Sequence, residues 1–376
     1  MTMREITEGS ARIHASETVF LNEKMHKLRD ISVMFLKAYG ATGSLLDCTC
    51  ATGIRGIRYA LEAGIKNPTL IDINPEAYKS AEINTKLNKV RASVINKPLQ
   101  ELAAVSADKF DIIDVDPFGS PEPFINDALR LSRNGSILMV TATDTAVLCG
   151  AHASACIKNY SSKPLHNELC KEVGARILLN FIIHSAGRFN FGVIPLLTIS
   201  DMHYIRVFVK LSHGAENAVN SIKQTGFGSY CNECHSFSYA TGIVPRLDAK
   251  CPVCKKETER FGPLFLGVLY AKPLLEEMVK INGYSESGAH GYLQKLSGEL
   301  DIPLFYSVSK MTKSMGISSV SPALVRDALN KKGHTSSFTQ FYEDGIKTGA
   351  SAKIVAEVIK KVHSGKHNRG AKSKHS

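Results

Sequence analysis

The feature that most constrains the fold is a regular alternation of short apolar runs with helical patterns along residues 44–142. Helical patterns cover residues 56–62, 75–87 and 121–131. Strands that alternate with helices along a chain form a mainly parallel sheet with helices on both faces, which buries the strands from both sides. The predicted strands of this doubly wound α/β sheet are residues 44–48, 68–73, 92–96, 110–116 and 136–142.

Two further apolar runs, residues 193–199 and 204–211, follow a long helical pattern around residues 168–185. Only the segment "SDMH" separates the two runs. A connection this short joins antiparallel strands, because a parallel pair needs a crossover of a dozen residues or more. The sequence therefore predicts a sheet that ends in a hairpin, with an antiparallel last strand.

The chain has 376 residues, a length that is typical of two domains. The composition changes after residue 211, where glycine, cysteine, proline and charged residues become more frequent. We expect a first domain at residues 1–211 and a smaller α+β domain at residues 212–359. Residues 360–376 are basic and contain no acidic residue, so we expect a disordered tail there.

The formal net charge is +11 and the isoelectric point is near 9.1, which favours a polyanionic partner, nucleic acid first. A basic protein with a solvated surface and no such partner is the alternative. No apolar run is long enough to span a bilayer, and residues 1–15 do not resemble a signal peptide. We therefore expect a cytoplasmic protein without membrane contact, in which the nine cysteines do not form disulfides.

The loops after the first two strands are candidate ligand-binding loops, because open α/β sheets bind ligands beyond the carboxyl ends of their strands. Asp47 ends the first strand, and Gly53 in the following loop allows a ligand to approach the backbone. This loop contains neither GxGxxG nor GxxxxGK[ST], which disfavours dinucleotide and P-loop sites. Asp72 ends the second strand, where a carboxylate can bind both hydroxyls of a ribose or cap the next helix.

Three arginines, Arg29, Arg55 and Arg58, precede or follow the first strand and are expected near the same crevice. A guanidinium group suits a carboxylate ligand, although ordinary surface charge also explains any one of them. A ribose site and a carboxylate site without phosphate-binding loops favour S-adenosylmethionine as the cofactor. The hairpin at the end of the sheet is also similar to that of class I methyltransferases, which have a Rossmann-like sheet.

The fourth strand runs into "DPFG", which begins at Asp116. This segment resembles the motif of methyltransferases that act on exocyclic amino groups of bases. Such an amine is a poor nucleophile, and a carboxylate that accepts its N–H groups can orient it and accept the leaving proton. Pro117 fixes the turn, and Phe118 offers a face for stacking on the base. A turn at a strand end, with the aspartate as a cap, is the alternative.

Four cysteines form two CxxC pairs, Cys231 with Cys234 and Cys251 with Cys254. The loop between the pairs has the length found in zinc ribbons, and four thiolates suit tetrahedral Zn²⁺. We expect a structural zinc ribbon over residues 228–258, because four protein ligands leave no open position for catalysis. A redox-active pair is the alternative.

Several longer motifs resemble one family, the tRNA (guanine-26-N2)-dimethyltransferases in their short archaeal form. They include "VDPFGSPEPF", "TATDTAVLCGAH", "CKEVGARILL" and "HYIRVFVKL", and the resemblance runs from about residue 8 to residue 350. It implies methylation of N2 of guanine 26 in tRNA by S-adenosylmethionine, giving N2-methyl- and N2,N2-dimethylguanosine. It implies tRNA as the partner, and we expect no obligate protein partner.

The resemblance also implies roles for individual residues. Asp116 matches the catalytic acid, and Asp144 matches a position that faces the substrate base. Arg29 matches an arginine that contacts the cofactor. Arg55 and Arg58 match two arginines of which at least one contacts the cofactor. Asp72 matches the ribose-binding acid.

Three segments depart from the family pattern. Residues 96–102, "NKPLQEL", replace an acidic pair near the adenine, so we expect Leu99 and Gln100 to supply that contact. The family's "FYNP" is "FLNE" here, and its "RTHF" is "FTQF" at residues 338–341, changes expected to affect how tRNA is held.

Two other functions remain open on the sequence alone. DPFG specifies an amino group on a base, so the target is either guanine 26 or another base in tRNA or rRNA. An inactive RNA-binding protein with a zinc ribbon is the alternative from a different class, and the altered segment at residues 96–102 is its support.

Overall fold

A computed structural model describes residues 4–15, 19, 21–201 and 203–372 of the protein, with the backbone alone for residues 366–372. The chain begins with an antiparallel hairpin of β1 (Arg4–Glu8) and β2 (Ala11–Ala15). A short 3-10 helix (Glu23–Met25) then leads into α1 (His26–Tyr39). This N-terminal segment packs through Ala11 and Ile13 against the helix that follows the first strand of the main sheet.

A seven-stranded sheet follows, in the order β5-β4-β3-β6-β7-β9-β8. Strands β3 to β7 are parallel, whereas β9 runs antiparallel to both β7 and β8. The predicted doubly wound sheet with a terminal hairpin is therefore confirmed. The strands are β3 (Leu45–Asp47), β4 (Thr69–Asp72), β5 (Ser93–Asn96), β6 (Phe110–Val115), β7 (Ser132–Ala142), β8 (Phe191–Ser200) and β9 (Ile205–His213).

Seven helices connect these strands, and their ends follow local sequence signals. The Asn74 side chain accepts a hydrogen bond from the backbone N–H of Glu76, and Pro75 occupies the first turn, as predicted for the start of α3. A short helix that begins within "NKPLQEL", α4, is an addition to the predicted elements. The helices are α2 (Ile54–Ala63), α3 (Pro75–Leu87), α4 (Leu99–Val105), α5 (Glu122–Arg130), α6 (Thr145–Leu148), α7 (Ala153–Tyr160) and α8 (Cys170–Gly187).

The second half of the chain contains two three-stranded sheets and further helices. The first sheet has the order β11-β10-β12, and the second has the order β13-β15-β14. The elements are α9 (Ala215–Ile222), β10 (Thr225–Tyr230), β11 (Phe237–Thr241), β12 (Glu259–Phe265), α10 (Lys272–Val279), α11 (Ala289–Ser297), β13 (Tyr306–Ser307), α12 (Val308–Ser314), α13 (Pro322–Lys331), β14 (Ser336–Phe338), β15 (Gly345–Thr348) and α14 (Ala352–Lys372).

The hydrophobic core continues across residue 211. One cluster of buried side chains extends from Leu28 in α1 to Phe341 after β14, and it includes residues of the main sheet and of α10 and α11. A smaller cluster lies around Val325 and Val355. The second half is thus packed directly on the sheet. The division into a methyltransferase domain at residues 1–211 and a tRNA-binding domain at residues 212–359 stays a prediction.

The last helix differs from the sequence expectation for residues 360–376. Helix α14 continues to Lys372, where a disordered tail was predicted, and residues 373–376 lie outside the described residues. Val358, Ile359 and Val362 pack on the smaller hydrophobic cluster, which anchors the helix. Among the described residues, no helix has both the length and the apolar character needed to cross a membrane.

Candidate active site

A cleft of about 550 Å³ opens at the carboxyl ends of the parallel strands, where the sequence predicts a ligand site. Half of its lining comes from the loop after β3, the start of α2 and the DPFG segment. It also includes Leu21 and Asn22 of the altered "FLNE" segment, whereas Phe20 lies outside the described residues. The predicted site residues that line the cleft are Arg29, Arg55, Asp72, Asp116, Pro117 and Phe118.

The loop after β3 is held in a tight turn that leads into α2. Gly53 has a φ of +78° and is the N-cap residue of α2. A Cβ atom at Gly53 would lie 3.3 Å from Cβ of Ala81, so both the conformation and the space favour glycine. Asp72 supports the same turn, because its Oδ2 accepts a 2.9 Å hydrogen bond from the backbone N–H of Ala51. Asp72 therefore lines the cleft and also fixes the neighbouring loop.

Arg55 and Asp116 form an ion pair at the base of the cleft. Nη2 of Arg55 donates to Oδ2 of Asp116, and the two side chains are 7% and 15% exposed. Burial alone would lower the pKa of Arg55, but the carboxylates of Asp116 and Asp114 outweigh it and raise that pKa above its ordinary value. Arg55 therefore carries its positive charge at neutral pH.

Several polar atoms around this pair are buried without a hydrogen-bond partner among the described residues. They are Oδ2 of Asp47, Oγ1 of Thr49, Oγ1 of Thr52 and Nη1 of Arg55. Burial, followed by the neighbouring carboxylate of Asp114, raises the pKa of Asp47 to about 8. Buried polar groups are almost always satisfied, so a concentration of unsatisfied ones beside a cleft indicates a polar ligand.

The DPFG segment leaves the sheet at the end of β6 and is fastened to the end of β7. The backbone N–H of Gly119 donates to Oγ1 of Thr143 over 2.7 Å, and the Thr143 N–H donates to the Gly119 carbonyl over 3.0 Å. Phe118 presents its ring at the cleft and is 70% exposed. These contacts hold an acidic residue and an exposed aromatic ring at one edge of the cleft.

Arg29 and Arg58 differ in their location and in their bonding partners. Arg29 lines the cleft, but its Nε donates over 2.6 Å to Oε1 of Glu8 in the N-terminal hairpin. Arg58 does not line the cleft: it is fully buried and donates to Glu8, Asp30 and Glu62 at 2.6–2.8 Å. Of the two arginines in "GIRGIR", Arg55 therefore faces the cleft and Arg58 holds the N-terminal hairpin against α1 and α2.

Five other predicted positions do not belong to the cleft lining. Asp47 is fully buried, and Gly53 shapes the loop. Leu99 is buried at the start of α4, whereas Gln100 is exposed. The roles of these residues and of Asp144 stay predictions.

Asp144 lies at the start of α6 and forms a network that sequence reasoning missed. The hydroxyl group of Tyr160 in α7 lies 2.9 and 3.0 Å from the two carboxylate oxygens of Asp144, and 2.8 Å from the hydroxyl of Ser120. Burial raises the pKa of Asp144 above its ordinary value. The network connects the segment after DPFG to the loop after β7.

Sequence reasoning did not assign His203, which lines the cleft, or Gln340, which contacts the end of β8. His203 lines the cleft from within the connection between β8 and β9, and its place in the quoted motif "HYIRVFVKL" was the available signal. Gln340 lies in "FTQF" and bonds to the carbonyl of Thr198 and the N–H of Ser200, each at 3.0 Å. The altered "FTQF" segment thus supports the end of β8.

The four cysteines of the two CxxC pairs come together at the end of the β11-β10-β12 sheet. Their sulfur atoms all lie within 4.8 Å of one another, and Sγ of Cys231 is 3.4 Å from Sγ of Cys254. His235 and Lys255 turn the chain after each pair, with φ values of +56° and +64°. Sγ of Cys234 is also 3.5 Å from Sγ of Cys251, so close contacts join the two CxxC pairs, an arrangement that fits one tetrahedral ion better than two redox pairs.

The sheet order, the antiparallel strand β9 and the ligand cleft at the strand ends define a methyltransferase fold of the S-adenosylmethionine-dependent class. Residues 2–360 match the family described as N2,N2-dimethylguanosine tRNA methyltransferase, and the chain belongs to that family. The resemblance read from its motifs is therefore confirmed.

Relatives and a solved structure agree with this assignment over nearly the whole chain. The tRNA (guanine(26)-N(2))-dimethyltransferase of Thermococcus kodakarensis is 35% identical, with 96% of this chain and 100% of the relative covered. The enzyme of the same name from Methanothermobacter thermautotrophicus is 34% identical, with 95% and 98% covered. The structure of Trm1 from Pyrococcus horikoshii in complex with S-adenosyl-L-methionine has a TM-score of 0.88 and 33% identity, with 95% of this chain and 99% of that chain covered.

Proposed function

We propose that this protein transfers methyl groups from S-adenosylmethionine to N2 of guanine 26 in tRNA, giving N2-methyl- and N2,N2-dimethylguanosine. The relatives' names support this activity. The structural observation that carries the proposal is the position of the Asp116 carboxyl group beside Phe118, at the edge of a cleft with unsatisfied polar groups. A tRNA substrate also implies a cytoplasmic enzyme.

The residues of the cleft fit S-adenosylmethionine. We assign Nη1 of Arg55 and the hydroxyl groups of Thr49 and Thr52 to the carboxylate of its amino-acid end, because all three are buried and unsatisfied. Oδ2 of Asp47 suits the ammonium group, and the carboxylate of Asp72 suits the ribose hydroxyls. When bound, the cofactor supplies an electrophilic methyl group on its sulfonium.

Asp116 and its neighbours prepare the amine. The lone pair of the guanine amino group is delocalised into the ring, so the amine needs help to become a nucleophile. Asp116 accepts an N–H bond from the amine, aims its lone pair and takes up the departing proton. Pro117 restricts the backbone of the turn, and Phe118 stacks on the flipped base. Positioning of the two reactants supplies much of the rate.

Asp144 and the second half of the chain are proposed to hold the substrate. Asp144 lies in the loop next to DPFG and is oriented by Tyr160, so it borders the place where the base must enter. The net charge of +11 supports tRNA binding over the lysine and arginine surfaces of residues 212–359. Affinity for tRNA should therefore fall steeply as the salt concentration rises.

The four cysteines are proposed to hold a structural Zn²⁺ ion. Zn–S bonds of about 2.3 Å in a tetrahedron place sulfur atoms roughly 3.8 Å apart, a spacing close to that of this cluster. Cys231, Cys234, Cys251 and Cys254 fill all four positions, so the ion takes no part in methyl transfer.

The test is methyl transfer from labelled S-adenosylmethionine to unmodified tRNA transcripts that carry guanine or adenine at position 26. We expect N2-methylated guanosine in the guanine transcript alone. Label in both transcripts would keep the enzyme but move the target base. Binding of tRNA without any label would favour the inactive RNA-binding protein.

A second test addresses the catalytic acid. Asp116→Ala should abolish methylation while the affinity for tRNA stays within about twofold of the wild-type value, because one side chain in the cleft adds little to a contact dominated by phosphates. Asp111→Asn is the matched control, since Asp111 lies at the other end of β6 and bonds to Ser44 and Arg133. Full activity of Asp116→Ala would disprove the assignment.

A further inference from the structure

The guanidinium group of Arg55 faces two ways. Its Nη2 is engaged with Oδ2 of Asp116, whereas its Nη1 is buried and has no hydrogen-bond partner among the described residues. Thr49 and Thr52, which line the same cleft, have unsatisfied hydroxyl groups as well. Nη2 of Arg55 therefore bonds to the proposed catalytic acid, and Nη1 can donate a hydrogen bond to a ligand in the cleft.

Asp114 and Asp47 are two further carboxyl groups near Arg55, and Asp114 is already satisfied. Arg206 donates to both of its oxygens at 2.9 Å, and the hydroxyl of Tyr59 donates to it at 2.7 Å. The guanidinium group of Arg55 therefore interacts with Asp116 through Nη2 and can interact with a second acceptor through Nη1. An arginine that pairs fully with Asp116 weakens this carboxylate as an acceptor for the amine of the base.

We propose that Arg55 is a positioning residue that couples the cofactor site to Asp116, an inference that rests on the proposed function. The carboxylate of the cofactor's amino-acid end bonds to Nη1 and competes with Asp116 for the guanidinium group. Bound cofactor therefore loosens the Arg55–Asp116 pair and releases Asp116 for the guanine amine, so the cofactor binds before the base. Linkage requires the reverse effect too: removing the charge of Asp116 strengthens cofactor binding.

The test is a binding measurement that needs no turnover. S-adenosylhomocysteine is the probe, because its neutral sulfur removes the direct attraction between a sulfonium and Asp116. By titration calorimetry we expect Asp116→Asn to bind this probe about fivefold more tightly than the wild type, the lower end of typical coupling between sites. Asp111→Asn, the same chemical change at the other end of β6, should bind it as the wild type does.

Two controls assign the effect to Arg55. 5′-Methylthioadenosine lacks the amino-acid end, so Asp116→Asn should not change its affinity. In an Arg55→Met background, Asp116→Asn should no longer strengthen binding of S-adenosylhomocysteine. Arg55→Lys is the second variant if Arg55→Met does not fold, because it keeps the charge but loses the two-ended geometry, and the coupling should shrink accordingly.

Three results would overturn the inference: unchanged or weaker binding by Asp116→Asn, the same gain with methylthioadenosine, or a gain that persists in Arg55→Met. Each of these leaves the proposed function intact as long as the wild type methylates guanine 26. Failure of the wild type to bind S-adenosylhomocysteine would instead contradict the proposed function itself.

Discussion

Nζ of Lys347 in β15 lies 3.2 Å from Oε1 of Glu172 in α8, and neither side chain is exposed to solvent. The same Nζ lies 3.2 Å from Oε1 of Glu299 and donates to the Ile302 carbonyl over 2.9 Å. Arg176 completes the group, with Nε 2.9 Å from Oε1 of Glu172. Two acidic and two basic side chains thus neutralise one another where helix α8, which packs on the main sheet, contacts the second half of the chain.

Replacing Lys347 tests whether this contact holds the two halves together. Lys347→Met leaves the carboxylates of Glu172 and Glu299 buried with one cation fewer, which should cost about 3–5 kcal/mol of unfolding free energy. Chemical denaturation measures this loss. Lys280→Met removes an exposed partner of Glu277 and should leave the stability essentially unchanged. Equal stabilities of the two variants would show that the buried ion pairs of Lys347 contribute no more to stability than the exposed pair of Lys280.

The sequence predicts the sheet well because its signals are local. Each strand and helix is readable within ten residues or so, and the four-residue link before Tyr204 alone requires antiparallel pairing. Buried ion pairs carry no such signal: Glu172 and Lys347 are 175 positions apart. Nothing along the chain shows that these two charges meet.

The residues of the candidate site likewise fall into those that the sequence predicts and those that it does not. Asp72 and Asp116 are predictable because they end parallel strands, whose carboxyl ends share one edge of the sheet. Arg55 and Arg58 cannot be told apart by the sequence, since both belong to α2, and only packing decides that Arg58 turns to Glu8. Tyr160 is missed because its partners come from two other loops.

The buried cluster around Glu8 predicts a dependence of stability on pH. Burial would raise the pKa of Glu8, but hydrogen bonding and the charges of Arg29 and Arg58 outweigh it, so the pKa lies below its usual 4.5. An acid whose pKa is lower in the folded protein than in the unfolded chain stabilises the fold at pH values above its unfolded pKa. This contribution disappears as the pH falls through the pKa of the folded state. Glu8 therefore contributes fully at pH 7 and progressively less below about pH 4.5.

Glu8→Gln isolates this contribution. At pH 7 the variant should be about 3–5 kcal/mol less stable than the wild type, because two buried guanidinium groups lose their shared partner. The difference should shrink at pH 3.5, because Glu8 is then largely protonated in the unfolded chain and the ionised folded state loses part of its advantage. Glu277→Gln changes an exposed acid and should show no comparable difference at either pH. A Glu8→Gln difference that stays constant with pH would contradict the charge-based account.

Removal of zinc should unfold the β11-β10-β12 sheet without blocking the cleft directly. Cys251→Ser should lose the ion in elemental analysis and lower the melting temperature, since a structural zinc site contributes to folding. Cys170→Ser, a change at a cysteine outside the cluster, should retain one zinc per chain. A Cys251→Ser protein with full zinc content would exclude the proposed site.

Gly53 and Gly64 at the two ends of α2 offer a matched pair for separating backbone strain from close packing. Both have a positive φ, +78° and +74°, so alanine at either position should cost about 1–2 kcal/mol from conformation alone. A Cβ at Gly64 would meet nothing within 4 Å, whereas one at Gly53 would press on Ala81 at 3.3 Å. Gly53→Ala should therefore be the more destabilising change in chemical denaturation.

The same pair separates stability from cofactor binding. Gly53 ends the loop that carries Thr49 and Thr52 into the cleft, so displacing it should weaken the binding of S-adenosylhomocysteine by about tenfold, equal to roughly 1.4 kcal/mol. Gly64→Ala lies at the far end of α2 and should leave that affinity unchanged. Calorimetric titration of both variants under conditions where each is folded decides the matter. Equal affinities would mean that the loop tolerates the shift and that Gly53 serves the fold alone.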